Sequence, residues 1–486
     1  MPSPVLAVLW FDTEDFVNPE TDDAPLRIAR LMEKHGIRVV FKVVGEKLRA
    51  LKRNGRGDVI EAISRHEVGY HSDTHSIHPV ISEYVGNLGW EEGAREFEER
   101  EREGYQEIKQ TFGRELSCYG HPGLCWVPQA YPVLKKWNIP VYLDETLTIT
   151  PIDNRPFWYC NVLNLMCLGS NVITLDAGVT TYDIPDDWLV RFRGEFRERY
   201  DKLRRESEPG IISVYCHPTT YYTKVWWEKP NFLGKNPPGM KFTKVPLKSK
   251  ERIERDFRDL EEFVMMAQKL PGLHFITALD ALKLYDDKAK ERRFTIEEVR
   301  TLCEKGIRTI NYERVNQGIW VSPAETFSMV LQILSTHSKT GRVPKFAKLH
   351  SPLGPKKSVK TGDGRAAFDL PLFIKTCENE FESLLRTNYL PDGVEVDGMT
   401  LSMPDYFATA CAAVLAIGRD VTPKKLGLRK GKFIVGRRVT LEGARKDWAY
   451  QLNPRGFEAP RQTELSRLQA WTMKPASPDP ELLRRL

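Results

Sequence analysis

The first 285 residues alternate between two kinds of segment, and that alternation limits what the chain can fold into more than any other feature. Short apolar runs, Val5 to Trp10, Val39 to Val44 and Ile211 to Tyr215, have the length of strands buried on both faces. Between them lie amphipathic stretches rich in Glu, Lys and Arg: Ala24 to His35, closed by Gly36, then Val59 to Arg65 and Gly89 to Thr111. Strand then helix, repeated, predicts an α/β fold with a parallel sheet or barrel.

The rhythm lasts through Leu279 to Tyr285 and stops at DDKAKERR, a charge run that reads as a solvated linker. From Phe294 the segments are mostly helical, joined by a Gly-, Pro- and Lys-rich connection from Lys339 to Gly364. At an offset of 80 positions, Gly318, Ser322 and Phe327 match Gly398, Ser402 and Phe407, so each copy reads as a turn feeding one amphipathic helix. Three units are expected: 1–290, a mostly helical 291–420 with a two-fold internal repeat, and a basic extension, 421–486, partly ordered with a frayed end.

Composition narrows the function. With 41% hydrophobic and 28% charged residues the chain is neither disordered nor fibrous. The formal charge of +6 sits in residues 421–486, which hold 15 of the 72 Lys and Arg but 6 of the 66 Asp and Glu. The body is therefore slightly acidic, and nucleic acid is not an expected partner. Eight cysteines form no CxxC pair, which predicts free thiols in a reducing compartment. No apolar run approaches the ~18 residues of a membrane helix, and MPSPVLAVLWFD has no basic n-region or cleavage site, so a cytoplasmic protein is expected.

Four polar clusters follow apolar runs, where active sites gather in parallel α/β folds. Asp12-Thr13-Glu14-Asp15 places three carboxylates in four positions, which repel unless a cation or a proton is shared. In YHSDTHSIHP, His71 and His75 are four apart, so both imidazoles can reach one metal ion. SCYGHPGLCW holds a sharp turn at Gly120-His121-Pro122-Gly123, and IISVYCHPTTYY ends its strand on His217, placed to act as a fixed acid or base. Together these supply ligands, a base and an acid for metal-assisted hydrolysis.

The four clusters resemble, in order and spacing, the motifs of NodB-type polysaccharide deacetylases, carbohydrate esterase family 4: FDTEDF the first, HSDTH the second, PGLCW the third and YCHP the last, over about residues 4 to 286. The resemblance implies a distorted (β/α) barrel followed by a smaller, mostly helical domain. It implies Asp12 as catalytic base, His71 and His75 as metal ligands with Glu14 or Asp15, His217 as general acid, and Asp176 as the partner orienting His217. The family's arginine, two residues before the proline of the third motif, is here Gly120, and His121 is a candidate for part of its role. The segment YLPDGVEVDGMTLSMPDYFATACAAV resembles a pseudomurein-binding-type repeat, which implies a glycan-contacting or interaction module.

The implied reaction is removal of an N-acetyl group from an amino sugar in an N-acetylated glycan, with a divalent cation, Zn²⁺ by ligand type. A backbone N–H near Tyr119 or Gly120 is the expected oxyanion donor, and Trp126, Tyr221 and Trp226 are the expected aromatic contacts to sugar. Two other readings compete: a metal-dependent amidohydrolase acting on another non-peptide C–N bond, and a glycan-binding protein whose site is disabled.

Overall fold

The computed structural model describes residues 3–175, 188–316, 318–364, 367–418 and 423–486. The first apolar run becomes the central strand, β1 (Val5–Thr13), buried throughout. The strands β2 (Val40–Val43), β3 (Glu67–Tyr70), β4 (Cys118–Tyr119), β5 (Val141–Tyr142), β6 (Phe157–Tyr159), β7 (Val162–Asn164), β8 (Val172–Thr174), β9 (Gly210–Cys216) and β10 (Leu273–Ile276) follow. Pairing runs β6-β7-β5-β4-β3-β2-β1-β9-β8, parallel except between β6 and β7, and the sheet curls into a half-barrel. On one edge β1 pairs with β9. On the other it pairs first with β10, at residues 5–8, and then with β2, at residues 10–13.

Helices α1 (Asp23–Lys34), α2 (Gly45–Arg53), α3 (Gly57–Ser64), α4 (Ile81–Val85), α5 (Trp90–Phe112), α6 (Ala130–Lys136), α7 (Trp188–Leu203), α8 (Lys250–Gln268) and α9 (Ala278–Leu284) lie between or after the strands. α5 shows why the sequence pattern works: Phe97, Glu101, Gly104, Tyr105, Ile108 and Phe112 recur at three- and four-residue steps and are the buried face. Gly113, at φ +61, ends it in the left-handed conformation glycine adopts without strain.

Alternation along β1 divides the core. Val5, Ala7, Leu9 and Phe11 join the large cluster under the helices, while Leu6, Val8 and Trp10 join a second, inner cluster with Val40, Ile211 and Ile276. Residues of α9, Ala278, Ala281 and Leu284, belong to that inner cluster. The inner face is thus apolar along β1 up to Trp10 and turns polar at Asp12.

Residues 293–427 have a core of their own, built twice on one plan. The first copy is β11 (Arg293–Thr295), α10 (Ile296–Gly306), β12 (Glu313–Asn316), β13 (Ile319–Val321), α11 (Pro323–Thr340) and β14 (Phe346–Lys348). The second is β15 (Ala367–Asp369), α12 (Leu370–Thr387), β16 (Gly393–Val396), β17 (Met399–Ser402), α13 (Met403–Ala416) and β18 (Lys425–Gly427). In each, the outer strands pair antiparallel and the inner two form a hairpin turning at a positive-φ glycine, Gly318 or Gly398. Ser322 and Ser402 cap the helix that follows. The copies embrace, α10 packing on α13 and α11 on α12.

Two expectations need correction. DDKAKERR is not simply solvated: Ala289 is in the second core, and buried Asp287 accepts from Lys474 Nζ at 2.8 Å. Lys474 also donates to both Glu325 oxygens at 2.8 Å, so one buried ammonium joins all three parts of the chain. Nor is the C-terminal segment a frayed extension. It forms α14 (Leu441–Trp448) and α15 (Pro460–Gln469), and its β19 (Lys474–Pro475) pairs with β6 as the edge strand of the main sheet. All eight cysteines are buried and free, and among the described residues no helix is long and apolar enough to cross a membrane.

Candidate active site

The period of a strand carries β1's inner face outward through Trp10 to Asp12 and Glu14, and its outer face through Phe11 to Thr13 and Asp15. The side chains divide accordingly. The Asp15 carboxylate accepts from the backbone N–H of Val17 and Asn18, each at 3.0 Å, and from the Thr219 hydroxyl at 2.6 Å. It braces the loop after β1 and does not face the histidines. Glu14 does: its Oε2 lies 2.9 Å from His75 Nε2 and 3.3 Å from His71 Nε2, while its Oε1 accepts from the Trp227 indole at 3.0 Å.

Both imidazoles are held from behind. His71 Nδ1 is 3.0 Å from the Gly120 carbonyl oxygen, which can only accept, so Nδ1 carries the proton. His75 Nδ1 lies 3.1 Å from Glu228 Oε1, and Glu228 also accepts from the Ser76 hydroxyl and, at 2.9 Å, from the Trp226 indole. With His71 Nδ1 protonated, the neutral ring points the lone pair of Nε2 at a carboxylate, an arrangement that calls for a cation between them. Two buried atoms facing the same gap, His75 Nε2 and Asp12 Oδ1, make no well-directed hydrogen bond despite their close neighbours. Glu14, His71 and His75 offer ligand atoms within 4.8 Å of one another, as do Asp12, Glu14 and His217. The donor set therefore fits a divalent metal.

Charge in the gap is strongly coupled. Burial opposes ionisation of Glu14, yet His75 and His217 hold its carboxyl well below the ordinary range. Burial works against a charged His75 too, and Glu14 and Glu228 push it up to about 10.

Across the gap stands a residue that the motifs did not include. Lys42, fully buried in β2, places Nζ 3.0 Å from Asp12 Oδ1 and donates to Asp144 Oδ2 at 2.8 Å. Burial disfavours its charge, but the two carboxylates raise its pKa above the usual value. A side chain at Gly120 has no room beside it: a Cβ there would lie 2.1 Å from Lys42 Nζ and 2.9 Å from the Leu143 carbonyl oxygen. The cation facing Asp12 thus comes from the neighbouring strand. His217 Nε2, at the end of β9, is 3.8 Å from Asp12 Oδ2, and its ring meets Trp226 edge to face at 4.7 Å.

Asp12, Glu14, His71, His75, Asp144 and His217 line a cavity of about 330 Å³, joined by His121, Glu145, Tyr215 and Tyr450. His121 Nδ1 is 3.0 Å from the Tyr142 hydroxyl, and burial lowers its pKa to about 4, so it is neutral at pH 7 and supplies no cation to Asp12. Trp226 lines the cavity as expected. Trp126 and Tyr221 do not: Trp126 packs on Tyr131 and Tyr159, and Tyr221 on Phe257. Tyr119 is buried in β4, and the Gly120 N–H donates to the Tyr70 carbonyl at 3.0 Å, so it is spent within the sheet and not offered to an oxyanion. Asp176 lies outside the described residues.

Lys42, Asp144 and Glu228 were legible only as anomalies: a lone lysine inside VVFKVV, an aspartate closing VYLD, and a glutamate after two tryptophans. Tyr450 gave no signal.

No family model and no curated protein matches the sequence. Among solved structures, the chain is similar to a Mycobacterium smegmatis protein assigned as a polysaccharide deacetylase, at 13% identity over 58% of this chain and 90% of that one, with a TM-score of 0.38. A Pseudomonas aeruginosa PAO1 protein assigned in the same way shares 14% identity over 57% and 89%, also with a TM-score of 0.38. Puue allantoinase gives 14% identity over 57% and 88%, again at 0.38. The likeness of residues 291–420 to pseudomurein-binding-type repeats has no counterpart among these.

Proposed function

We propose that the protein is a metal-dependent hydrolase that removes an N-acyl group, N-acetyl by preference, from an amino sugar. The observation that carries this reading is the Glu14, His71 and His75 cluster, whose rings are fixed from behind by Gly120 and Glu228 and which faces Asp12 and His217 across one cavity. A divalent ion held there, Zn²⁺ by the imidazole and carboxylate set, would polarise the acyl carbonyl and lower the pKa of water from ~15.7 toward ~7.

The chain's own groups divide the proton transfers. Asp12, kept beside Lys42, takes a proton from the attacking water as the C–O bond forms. His217, protonated, gives a proton to the nitrogen as the C–N bond breaks, because an amine anion is a very poor leaving group. The carboxylic acid and the free amine leave, Asp12 is left protonated and His217 neutral, and passage of that proton from Asp12 to His217 through solvent restores the starting state. Trp226, against His217 and bonded to Glu228, excludes water from that side.

The test is acetate release from N-acetylglucosamine oligomers by zinc-loaded protein, alongside metal content. About one ion per chain is expected, lost in His71→Ala, His75→Ala and Glu14→Gln and kept in Asp15→Asn. Asp12→Asn should retain the ion and lose turnover. A protein that holds zinc and hydrolyses a cyclic amide such as allantoin, with no acetate release, would refute the deacetylase reading in favour of another C–N hydrolase. A protein that binds no zinc at all would point to a disabled site.

A further inference from the structure

The segment after residue 438, beyond every motif, enters the cavity. Tyr450 lines it, immediately past α14, and its ring stands so close to Gly123 that a Cβ there would fall 2.8 Å from Tyr450 Cε1. The ring is pinned by its own turn: the Tyr450 N–H donates to the Asp447 carbonyl at 3.1 Å, and the Asn453 side-chain amide donates to the same oxygen at 3.1 Å.

Asp447 does more than close that turn. Fully buried, its carboxylate accepts from the N–H groups of Leu147 and Thr148 at 3.0 Å and from the hydroxyls of Thr146 and Thr148 at 2.6 and 2.7 Å. Thr440 N–H donates to the Thr148 carbonyl at 2.9 Å, and Gly443 comes so near that a Cβ would meet the Leu147 carbonyl oxygen at 1.8 Å. The clamped loop is the one that gives the cavity Asp144, Glu145 and Leu147. Asp144 is used by Lys42. Among the described residues the Glu145 side chain has no hydrogen-bond or ion-pair partner. It is a carboxyl presented to whatever fills the cavity, and burial beside Asp144 and Asp447 raises its pKa to about 7.

The geometry points to a recognition wall for the part of the substrate beyond the acyl group: the Tyr450 ring receives one face of a sugar ring, Glu145 accepts from its hydroxyl or amine, and Asp447 is the positioning residue for both. The wall shares one cavity with Asp12 and Glu14, and about 330 Å³ suits one ring and its acyl group, so the substrate class is a monosaccharide or chain-terminal N-acyl amino sugar and not the interior of a polymer. This rests on the proposed deacetylase reading.

The experiment compares N-acetylglucosamine with its pentamer, reading acetate release and, separately, ligand binding by saturation-transfer NMR. Tyr450→Ala and Glu145→Gln should each raise KM for the monomer about tenfold with kcat within about twofold, the signature of lost ground-state recognition. Lys446→Ala, on the exposed side of α14, is the control. Asp447→Ala should reproduce both losses together; if it does not fold, the other two variants decide. Unchanged KM in both variants overturns the wall, and so does a kcat/KM for the pentamer about a hundredfold above that for the monomer. Binding of the monomer that weakens in Tyr450→Ala, without acetate release by any variant, upholds the wall and removes the deacetylase reading. Absence of monomer binding to the unaltered protein overturns the substrate class.

Discussion

Lys42 Nζ stands 3.0 Å from Asp12 Oδ1 in space that any side chain at residue 120 would need. The two positions are one structural decision: glycine on β4's continuation allows a lysine from β2 to reach the carboxylate. A buried ammonium between two carboxylates is costly to desolvate and costlier to break. Lys42→Met should therefore leave Asp12 and Asp144 without the ammonium between them, and lower kcat by about 10²-fold or more, the usual contribution of a general base. Zinc stoichiometry should stay at its original value, because no ligand has been touched. A variant with normal turnover would show that Asp12 needs no cation.

Glu228 lies behind His75 and offers the gap no ligand atom. Glu228→Gln should keep the fold and weaken zinc binding by about 10- to 100-fold, the common effect of losing a carboxylate that orients a ligating imidazole. Competition with a chelator at fixed pH reads the change directly. Equal affinity in the two proteins would mean that Ser76, 2.6 Å from the same nitrogen, orients the ring unaided.

Glu101, buried in α5, accepts from the Tyr70 and Tyr84 hydroxyls and from the Asp73 N–H, and burial pushes its pKa up to about 7. In the unfolded chain the group titrates near 4.5. Between those values the folded state holds a proton that the unfolded state has released, so stability falls as pH rises through that window. The difference amounts to about 3 kcal/mol across it. Glu101→Gln, which never ionises, should gain that amount relative to the parent between pH 4.5 and pH 7. Parallel stability curves from urea unfolding would contradict the assignment.

Lys474 is 2% exposed and bonded to Asp287 and Glu325, carboxylates from two different parts of the chain. Lys474→Met should destabilise the protein by about 3–5 kcal/mol, since Glu325 is left buried without a cation and Asp287 keeps only the more distant Lys290, at 3.6 Å. Adding Asp287→Asn and Glu325→Gln to the Lys474→Met variant should restore part of the loss. Denaturant unfolding monitored by tryptophan fluorescence measures both steps, and an additive loss would show that the three groups do not act together.

The sequence by itself determined whatever depends on neighbours along the chain. Strand and helix periodicities specified the α/β unit, and the HxxxH spacing brought two imidazoles to one carboxylate. Even the choice between Glu14 and Asp15 was latent in β1, because alternation from Leu6 and Val8 puts Glu14 inside and Asp15 outside. The internal repeat was half visible: Ser322 and Ser402 are 80 apart, but the caps of α10 and α12, Thr295 and Asp369, are 74 apart, so no single offset aligns both halves. Only the tertiary structure decided which strand supplies the cation for Asp12, which glutamate stands behind His75, and that Tyr450 and Asp447 shape a cavity whose first residue is Trp10. Those relations depend on register between strands and on where a chain more than 300 residues away returns to the sheet. Periodicity reports which face a residue is on; it carries no information about what lies across from that face.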